Sequence, residues 1–511
     1  MKIEKIDLYF LLIIFSLSFL LRMLFFQGFV LCDDIQEFST PLHFLTSRPD
    51  FHDAFHLRFI LWGTNWIFFK IFGVSEFSFF LPTLLMSSSM PLLAYLIIRK
   101  FGYSSFHSLL ISLFFASSPF EIMIGTLRAN DLIFAWFVYL AFLTFLLFEK
   151  KPEIQGIMVG ILLWFAFYVK LWAVYFILVF LIFYVRLLLR KKEYKSLIYF
   201  FLTSLVLHAL IGIFWVKEVG IFFPFLKYHS ATYPIPNNKI FELWTVYPTY
   251  IFKGSFISTT LFGLVPYFLL AFLLVKLVLF WKKKIKIDEL DFYLFPFYFI
   301  FFMLLNFLPD TPLKFDQYYS VPRIFRYLYP ISFPMSLHAG KMIVDIFISL
   351  KFKKEFQIFL FLFLIVVNLV YACEATLPGR IYREDLLSMV EDIKRIEPPI
   401  VLSESWIGFF LERVYLKDTK IIVKIVPNIF DAKEYESWLK ENEKDLPDKT
   451  LLIANFGSCV HYGCYNCGFQ LSLFKEKTLE KWKLLKEYKK LEYSPLKQVP
   501  AIWILNKESY Q

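Results

Sequence analysis

The sequence has 511 residues, of which 58% are hydrophobic and 21% aromatic, and this composition excludes a soluble globular protein, which is about half apolar. The formal net charge of +11 does not indicate a nucleic-acid-binding protein, because the basic residues fall in short clusters between apolar stretches. We therefore expect a protein that is embedded in the lipid bilayer.

Apolar stretches long enough to cross about 30 Å of hydrocarbon recur from the amino terminus to about residue 373. The first, from Ile6 to Leu31, is too long for the core of a signal peptide and lacks a small-residue cleavage site before Cys32. We predict about eleven membrane helices, near residues 7–30, 77–98, 105–120, 130–148, 154–169, 171–186, 197–216, 257–281, 291–308, 325–348 and 356–373.

The basic clusters predict the orientation of these helices. They occur at 99–100, 150–151, 190–195, 282–286 and 351–354. All of them fall on one side of the predicted membrane, which the positive-inside rule makes cytoplasmic. The other side receives the loops at about 31–76 and 218–256, the stretch 309–324 and the carboxyl-terminal region. We predict a multi-pass protein of the cell membrane.

The composition changes near residue 375, after which Lys and Glu become frequent. The runs 421–426 and 451–454 are typical of strands, whereas 383–396 and 434–443 have helical spacing. We predict a transmembrane domain over residues 1–374 and a small extracytoplasmic α/β domain over residues 375–511. Pro378 and Gly379 mark the expected joint.

The first outer loop carries ionisable residues. Asp33 and Asp34 directly follow the first predicted helix, with Glu37 one turn further on if a helix starts there. Two adjacent acids at a helix end are either solvated caps or part of a site. The loop continues through His52, His56 and Arg58 into the amphipathic segment 59–72, which suits a helix lying in the membrane interface. Such a loop is longer than a connector needs.

Later helices place further ionisable residues at the same face. Asp131 opens the fourth span and is costly there unless it faces a cavity or a partner; its alternative role is an anchoring pair with Arg128. Lys170 lies between two apolar runs and either snorkels to the surface or binds a phosphate. Arg326 and Tyr327 begin the tenth span as membrane anchors or as part of the site. Together these residues suit an anionic lipid headgroup and an acceptor that needs a base.

In order and spacing, these segments resemble the GT-C superfamily of membrane glycosyltransferases. The branch is that of the dolichyl-phosphate-mannose protein mannosyltransferases and the bacterial aminoarabinose transferase of lipid A. The resemblance covers about residues 1–345 and rests on the segments 33–34 (Asp-Asp), 56–62 (His-Leu-Arg-Phe-Ile-Leu-Trp), 118–119 (Ser-Pro), 128–131 (Arg-Ala-Asn-Asp), 170 (Lys) and 326–330 (Arg-Tyr-Leu-Tyr-Pro). The chain has Asp-Asp where the family usually has Asp-Glu, and Val-Lys-Leu in place of Thr-Lys-Gly.

The resemblance implies a GT-C type all-α polytopic domain and a hexosyl- or pentosyltransferase that inverts the sugar's configuration. Its donor is a polyprenyl-phosphate-linked sugar, and its acceptor is a lipid, a glycan or a protein at the outer face. The implied base is Asp33, with Asp34 as the fallback. The other implied site residues are Arg58, Lys170 and Arg326, which neutralise the departing phosphate, Asp131 and His56, which orient sugar or acceptor, and Arg128 and Tyr327, which bind substrate.

No cofactor is required by this reaction, although a divalent cation between Asp33 and Asp131 stays open. The alternative function is a transporter or flippase of a lipid-linked saccharide. That function predicts ionisable residues near the middle of several spans and broken helices in matching halves.

Three cysteines, Cys459, Cys464 and Cys467, lie close together in the sequence. With His461 they offer the four ligands of a zinc site. Outside the cytoplasm we expect a disulfide instead, with Cys373 as a partner for the remaining thiol. Either arrangement is structural.

Overall fold

The fold was analysed in a computed structural model. It describes residues 4–29, 34–47, 58–170, 172–215, 233–235, 240–253, 261–281, 288–307, 318–320, 325–403, 405–426, 438, 441–442, 445–455, 482–487 and 502–507. The predicted base Asp33, His56 and the cysteines of the 459–467 cluster lie outside these residues.

Helices make up most of the described chain. They are α1 (Lys5–Leu24), α2 (Asp34–His43), α3 (Phe59–Phe72), α4 (Glu76–Lys100), α5 (Ser105–Ala116), α6 (Pro119–Gly125), α7 (Asn130–Leu147), α8 (Pro152–Val169), α9 (Ala173–Lys191), α10 (Lys195–Trp215), α11 (Ile240–Lys253), α12 (Val265–Trp281), α13 (Glu289–Phe307), α14 (Tyr329–Ser349), α15 (Lys354–Ile396) and α16 (Ser405–Phe410). A 3₁₀ turn (Phe325–Leu328) precedes α14, and a π turn (Leu411–Tyr415) follows α16.

Each of the eleven predicted spans contains a helix. Among the residues that the structure describes, eight helices are long and apolar enough to cross a membrane, and α5 with α6, bent by 62°, makes up to a ninth span. Over the described residues α10 and α12 are apolar for shorter lengths, 195–210 and 265–275. The chain is therefore a multi-pass membrane protein, whereas the count of about eleven spans stays a prediction.

The break between α5 and α6 was not predicted, since the sequence suggests one span over 105–120. Pro119 occupies the first turn of α6, where its missing N–H costs nothing. Ser117 ends α5 and Ser118 precedes α6, so two polar residues allow the chain to turn there.

The helix α7 lies at the centre of the membrane part. In an 18-residue window, 83% of the residues of α7 are buried, as they are in the span 325–349, whereas only 22% are buried in α1. Phenylalanine rings fill the space around α7; for example, Phe142 lies 4.8 Å from Phe297 of α13, and Tyr139 stacks at 4.2 Å on Phe333 of α14. A polar residue at the mouth of α7 is therefore enclosed by several other elements.

The helix α15 runs without interruption for 43 residues and contains Pro378. The predicted joint at Pro378 and Gly379 is thus inside a helix, and the predicted helical segment 383–396 is its final part. The domain boundary at 374/375 stays a prediction.

Beyond α15 the described strands form a mixed five-stranded sheet in the order β4-β3-β5-β7-β6. The strands are β3 (Ile400–Ser403), β4 (Ile422–Ile425), β5 (Leu451–Asn455), β6 (Trp482–Glu487) and β7 (Ile502–Lys507). β3 pairs in parallel with β4 and β5, and β7 pairs antiparallel with β5 and β6. The two predicted strand runs correspond to β4 and β5. A separate two-stranded pair joins β1 (Tyr233–Ile235) and β2 (Tyr318–Ser320).

Candidate active site

The carboxylate of Asp131 lies between two cations. Asp131 is in the first turn of α7 and is 1% exposed. The Lys170 ammonium donates to its Oδ1 at 2.5 Å, and Arg326 Nε lies 3.8 Å from its Oδ2. These partners come from the end of α8 and from the 3₁₀ turn before α14. Three elements that are distant in the sequence therefore meet at one acid.

Lys170 is the central cation of this group. Its ammonium lies 4.0 Å from the centre of the Trp172 ring and 4.1 Å from that of Tyr327. The two rings meet edge to face at 4.3 Å. Such cation–π contacts hold an ammonium without neutralising its charge. The side chain keeps 12% of its surface exposed, so Lys170 remains reachable by a ligand.

Burial lowers the pKa of Lys170 to about 8. The Asp131 carboxylate opposes this shift, while the charges of Arg326 and Arg58 add to it. Arg58 precedes α3, so its influence brings a fourth element to the same region. Among the described residues, Lys170, Arg326 and Arg58 thus bring three positive charges to the region around Asp131.

A second ion pair lies three residues before Asp131. Arg128 is 1% exposed; it donates to Thr83 Oγ1 at 2.8 Å and to the Leu61 carbonyl oxygen at 2.9 Å. Its Nε lies 3.5 Å from Glu37 Oε2. The alternative pairing of Arg128 with Asp131 is therefore not what the structure has. Arg128 instead fixes α2 against α3 and α4.

The acid-bearing helix α2 begins at Asp34, as the sequence allowed. Asp34 is fully buried, and its charge acts with that of Glu37 to oppose the lowering of the Arg128 pKa that burial causes. Asp34 thus lies near Arg128 and at the same end of the membrane part as Asp131. Its sequence neighbour Asp33 falls outside the described residues, so the part it plays stays a prediction.

Beside the site lies a buried network of polar side chains that was not predicted from the sequence. Arg22 of α1 contacts Glu121 of α6 at 3.2 Å, and both are fully buried. Ser87 donates to the same carboxylate at 3.1 Å, and the Tyr329 hydroxyl donates to it at 2.6 Å. Tyr329 begins α14, three residues after Arg326. The network therefore ties α1, α4 and α6 to the segment that carries Arg326.

The predicted site residues thus fall into three sets. Asp131, Lys170, Arg326 and Tyr327 form one cluster, with Arg58 near enough for its charge to act on Lys170. Arg128 and Asp34 belong to the adjoining set with Glu37, while Asp33 and His56 lie outside the described residues. Within the described residues, no group of three or more His, Cys, Asp or Glu side chains could hold a metal ion. Trp172 is the addition, and its only signal in the sequence was an aromatic residue two positions after Lys170.

One known protein family matches part of the chain. Residues 60–215 match the family described as dolichyl-phosphate-mannose-protein mannosyltransferase. This range includes Arg128, Asp131, Lys170 and Trp172. A search of curated proteins found no significant match.

Several solved structures are similar to the chain. ArnT from Cupriavidus metallidurans in the apo state has 9% identity and a TM-score of 0.51, over 98% of this chain and 97% of that one. ArnT bound to undecaprenyl phosphate gives 9% identity and a TM-score of 0.48, over 96% and 97%. Arabinofuranosyltransferase AftD from mycobacteria gives 10% and 0.43, over 98% of this chain and 40% of that one.

The likeness to apo ArnT, a GT-C glycosyltransferase, extends over nearly the whole of both chains. At 9% identity it shows a common fold. Together with the family match over residues 60–215, it confirms the resemblance that the sequence predicts, to the GT-C membrane glycosyltransferases of the mannosyltransferase and ArnT kind.

Proposed function

We propose that this protein transfers a sugar from a polyprenyl-phosphate carrier to an acceptor at the non-cytoplasmic face of the membrane. The observation that carries the proposal is the cluster in which Lys170 and Arg326 flank Asp131. The family that matches residues 60–215 is described by its use of dolichyl phosphate mannose, which is a polyprenyl-phosphate sugar. Two cations beside one carboxylate at the mouth of a membrane helix suit the phosphate of such a lipid.

The proposed reaction is an inverting displacement at the anomeric carbon of the sugar. Asp33, or Asp34 as the fallback, takes the proton of an acceptor hydroxyl or amine while the acceptor atom bonds to that carbon. The bond from the anomeric carbon to the phosphate oxygen breaks, and the polyprenyl phosphate leaves with the electron pair. Removal of the proton contributes about 10²–10⁴-fold to the rate.

The cations are proposed to supply the larger share of the rate enhancement. Negative charge grows on the phosphate oxygen as the bond breaks, and fixed positive groups stabilise it most effectively in a site that excludes water. Lys170 is held by Asp131 and two rings, so little reorganisation is needed when the charge develops. Arg326 and Arg58 are the other candidates. Asp131 orients Lys170 and contacts sugar or acceptor, with His56 as its proposed partner in that role.

The proposed sidedness agrees with this donor. Nucleotide sugars are made in the cytoplasm, so an enzyme acting at the opposite face needs a sugar on a lipid that has crossed the membrane. The region 375–511 is proposed to lie on that face as well.

The decisive experiment compares wild type, Asp131→Asn and Glu289→Gln in reconstituted vesicles. Each is given radiolabelled polyprenyl-phosphate hexoses and pentoses, and consumption of the donor and release of polyprenyl phosphate are measured. We expect Asp131→Asn to lower turnover by about 10²-fold, the loss typical of removing one electrostatic group from a site. Glu289 is the control acid, since its side chain is 55% exposed and pairs with Arg186 at 3.2 Å, away from the site.

Wild-type turnover in both Asp131→Asn and Asp33→Asn would remove the two acids from the proposed mechanism, and no release of polyprenyl phosphate by wild type would remove the enzyme proposal. Movement of an intact lipid-linked sugar across the vesicle membrane, without release of polyprenyl phosphate, would favour the flippase alternative instead. We also propose that no metal is required, since Asp131 has a cation at each carboxylate oxygen. Turnover in EDTA should then match turnover in magnesium, and a loss restored by a divalent ion would contradict this.

A further inference from the structure

The short helix α16 lies between the five-stranded sheet and the membrane part. One face of it packs on the sheet at Gly408, where a Cβ would lie 3.2 Å from Ile425 Cγ1 and 3.4 Å from Ser403 Cβ. The next two residues, Phe409 and Phe410, face the membrane part. The position of the sheet therefore determines where the Phe409 and Phe410 rings lie against the membrane part.

Phe410 contacts the region that leads into the acids. Its ring is 1% exposed and stacks on Phe29 at 3.9 Å with an interplanar angle of 25°. It also meets Phe38 at 5.7 Å, nearly perpendicular, and Phe38 is 5.2 Å from Phe79 of α4. We call Phe29, Phe38, Phe79 and Phe410 the aromatic joint. All four rings are buried, so the joint is a packed contact.

The aromatic joint reaches the site by two short routes. Phe38 lies on α2, one turn after Asp34 and directly after Glu37. Phe79 lies 5.8 Å from the guanidinium carbon of Arg128, the cation that pairs with Glu37. A helix of ten residues is not stable in isolation, and its placement depends on tertiary packing. The position of Asp34 therefore depends on the rings that cover Phe38.

We use the term sheet region for the final part of α15 together with the five-stranded sheet. Contacts other than the aromatic joint also attach this region to the membrane part. Arg383 binds Glu76 through two hydrogen bonds, at 3.1 and 2.9 Å, and the Lys417 ammonium donates to the Val74 carbonyl oxygen at 2.8 Å. These contacts hold the start of α4. A change confined to Phe410 should therefore loosen α2 without releasing the sheet.

We propose that Phe410 is a positioning residue, through which the sheet region sets the place of α2 and thus of the acids that act on the acceptor. This rests on the proposed function. It gives the carboxyl-terminal region a role in the reaction that is separate from donor binding, because Lys170, Arg326 and Asp131 stand on other elements. Removing the ring leaves a cavity next to Phe29 and Phe38 into which α2 can shift.

The first test measures kinetics and donor-site binding in the full-length protein in vesicles. Phe410→Ala is expected to lower kcat by about 10- to 100-fold, as small displacements of reacting groups do, while the Kd for polyprenyl phosphate without sugar stays at the wild-type value. Phe410→Leu, which refills most of the space, should restore most of kcat. Phe359→Ala is the control, since Phe359, near the start of α15, is 66% exposed.

Two results would overturn the proposal. One is wild-type kcat in Phe410→Ala; the other is loss of polyprenyl-phosphate binding together with kcat, which would give Phe410 only a folding role.

The second test reports the position of α2 without any turnover. Ser39→Cys is labelled with a maleimide, against the same protein without that cysteine as background. Labelling should be faster when Phe410→Ala is added and unchanged when Phe359→Ala is added. Equal rates in all three proteins would refute the positioning role. Faster labelling in a protein that releases no polyprenyl phosphate from any of the radiolabelled donors would leave the positioning of α2 by Phe410 standing and the proposed function refuted.

Discussion

Lys170 is held in place by one carboxylate and two aromatic rings. Asp131 supplies one negative charge at 2.5 Å, whereas the Trp172 and Tyr327 rings contribute only their π faces. The charges of Arg326 and Arg58 lower the pKa of the Lys170 ammonium, and burial lowers it more strongly. With a pKa of about 8, Lys170 is mostly charged at neutral pH. An anion that binds beside it should raise this pKa and stabilise the charged form.

This balance predicts a descending limb in the pH–rate profile. The pKa of Lys170 is about 8, below the usual lysine value of about 10.4, so the charged form is present below pH 8 and is lost above it. We expect kcat/KM, which reports the free enzyme, to fall as the pH rises through about 8. Lys170→Arg should lose this limb, because a guanidinium stays protonated. A limb at the same pH in Lys170→Arg would contradict the assignment.

The partners of Arg128 and Asp131 show where sequence spacing stops being informative. The two residues are three apart, which suggests a pair on one helix. However, α7 begins at Asn130, so Arg128 precedes the helix and its side chain reaches Glu37 of α2. The residue types and the common face were predictable from the sequence. The pairing was not, because it depends on how α2 and α3 pack against α4.

At the scale of elements, periodicity and charge predicted the helices well and their interruptions poorly. Pro119 breaks a predicted span, whereas Pro378 lies inside an unbroken helix. A proline within a helix costs about 3 kcal/mol or more, yet α15 continues beyond Pro378 to Ile396. Sequence alone gives the same signal in both places, and the surrounding contacts decide the outcome.

The contact between α8 and α10 provides a prediction at this scale. Gly156 lets the two backbones approach, since a Cβ there would overlap the Ser196 carbonyl oxygen and lie 2.8 Å from Tyr199 Cβ. We expect Gly156→Ala to lower the thermal unfolding temperature, because the helices must move apart. In contrast, Gly63 of α3 has no atom within 4 Å of such a Cβ, and Gly63→Ala should be neutral or stabilise by up to about 1 kcal/mol. Equal unfolding temperatures for the two variants would contradict the close packing.

At the scale of the whole molecule, ion pairs join helix ends at the membrane end opposite the site. Asp7 near the start of α1 pairs with Arg99 at the end of α4 at 2.9 Å. Lys341, in the second half of α14, pairs with Asp288, just before α13, at 2.8 Å. The site collects the start of α7, the end of α8 and the start of α14. The helices therefore alternate in direction as the basic clusters require.

This alternation predicts the result of a topology experiment. Alkaline phosphatase, which needs disulfides and so folds outside the cytoplasm, should be active when fused after Gln511 and inactive when fused after Lys284. A fluorescent protein that folds only in the cytoplasm should give the opposite pattern. Activity at both fusion points, or at neither, would contradict the predicted orientation.

The uninterrupted helix α15 acts as a rod whose length has a consequence for evolution of the chain. Its 43 residues span about 65 Å at 1.5 Å each, roughly twice the hydrocarbon thickness of about 30 Å. Inserting one residue in its far half would rotate everything beyond by about 100° and swing Phe410 away from Phe29. Seven residues, about two turns, would restore the azimuth but lift the sheet by about 10 Å. Homologues should therefore keep this segment constant in length even where its residues diverge.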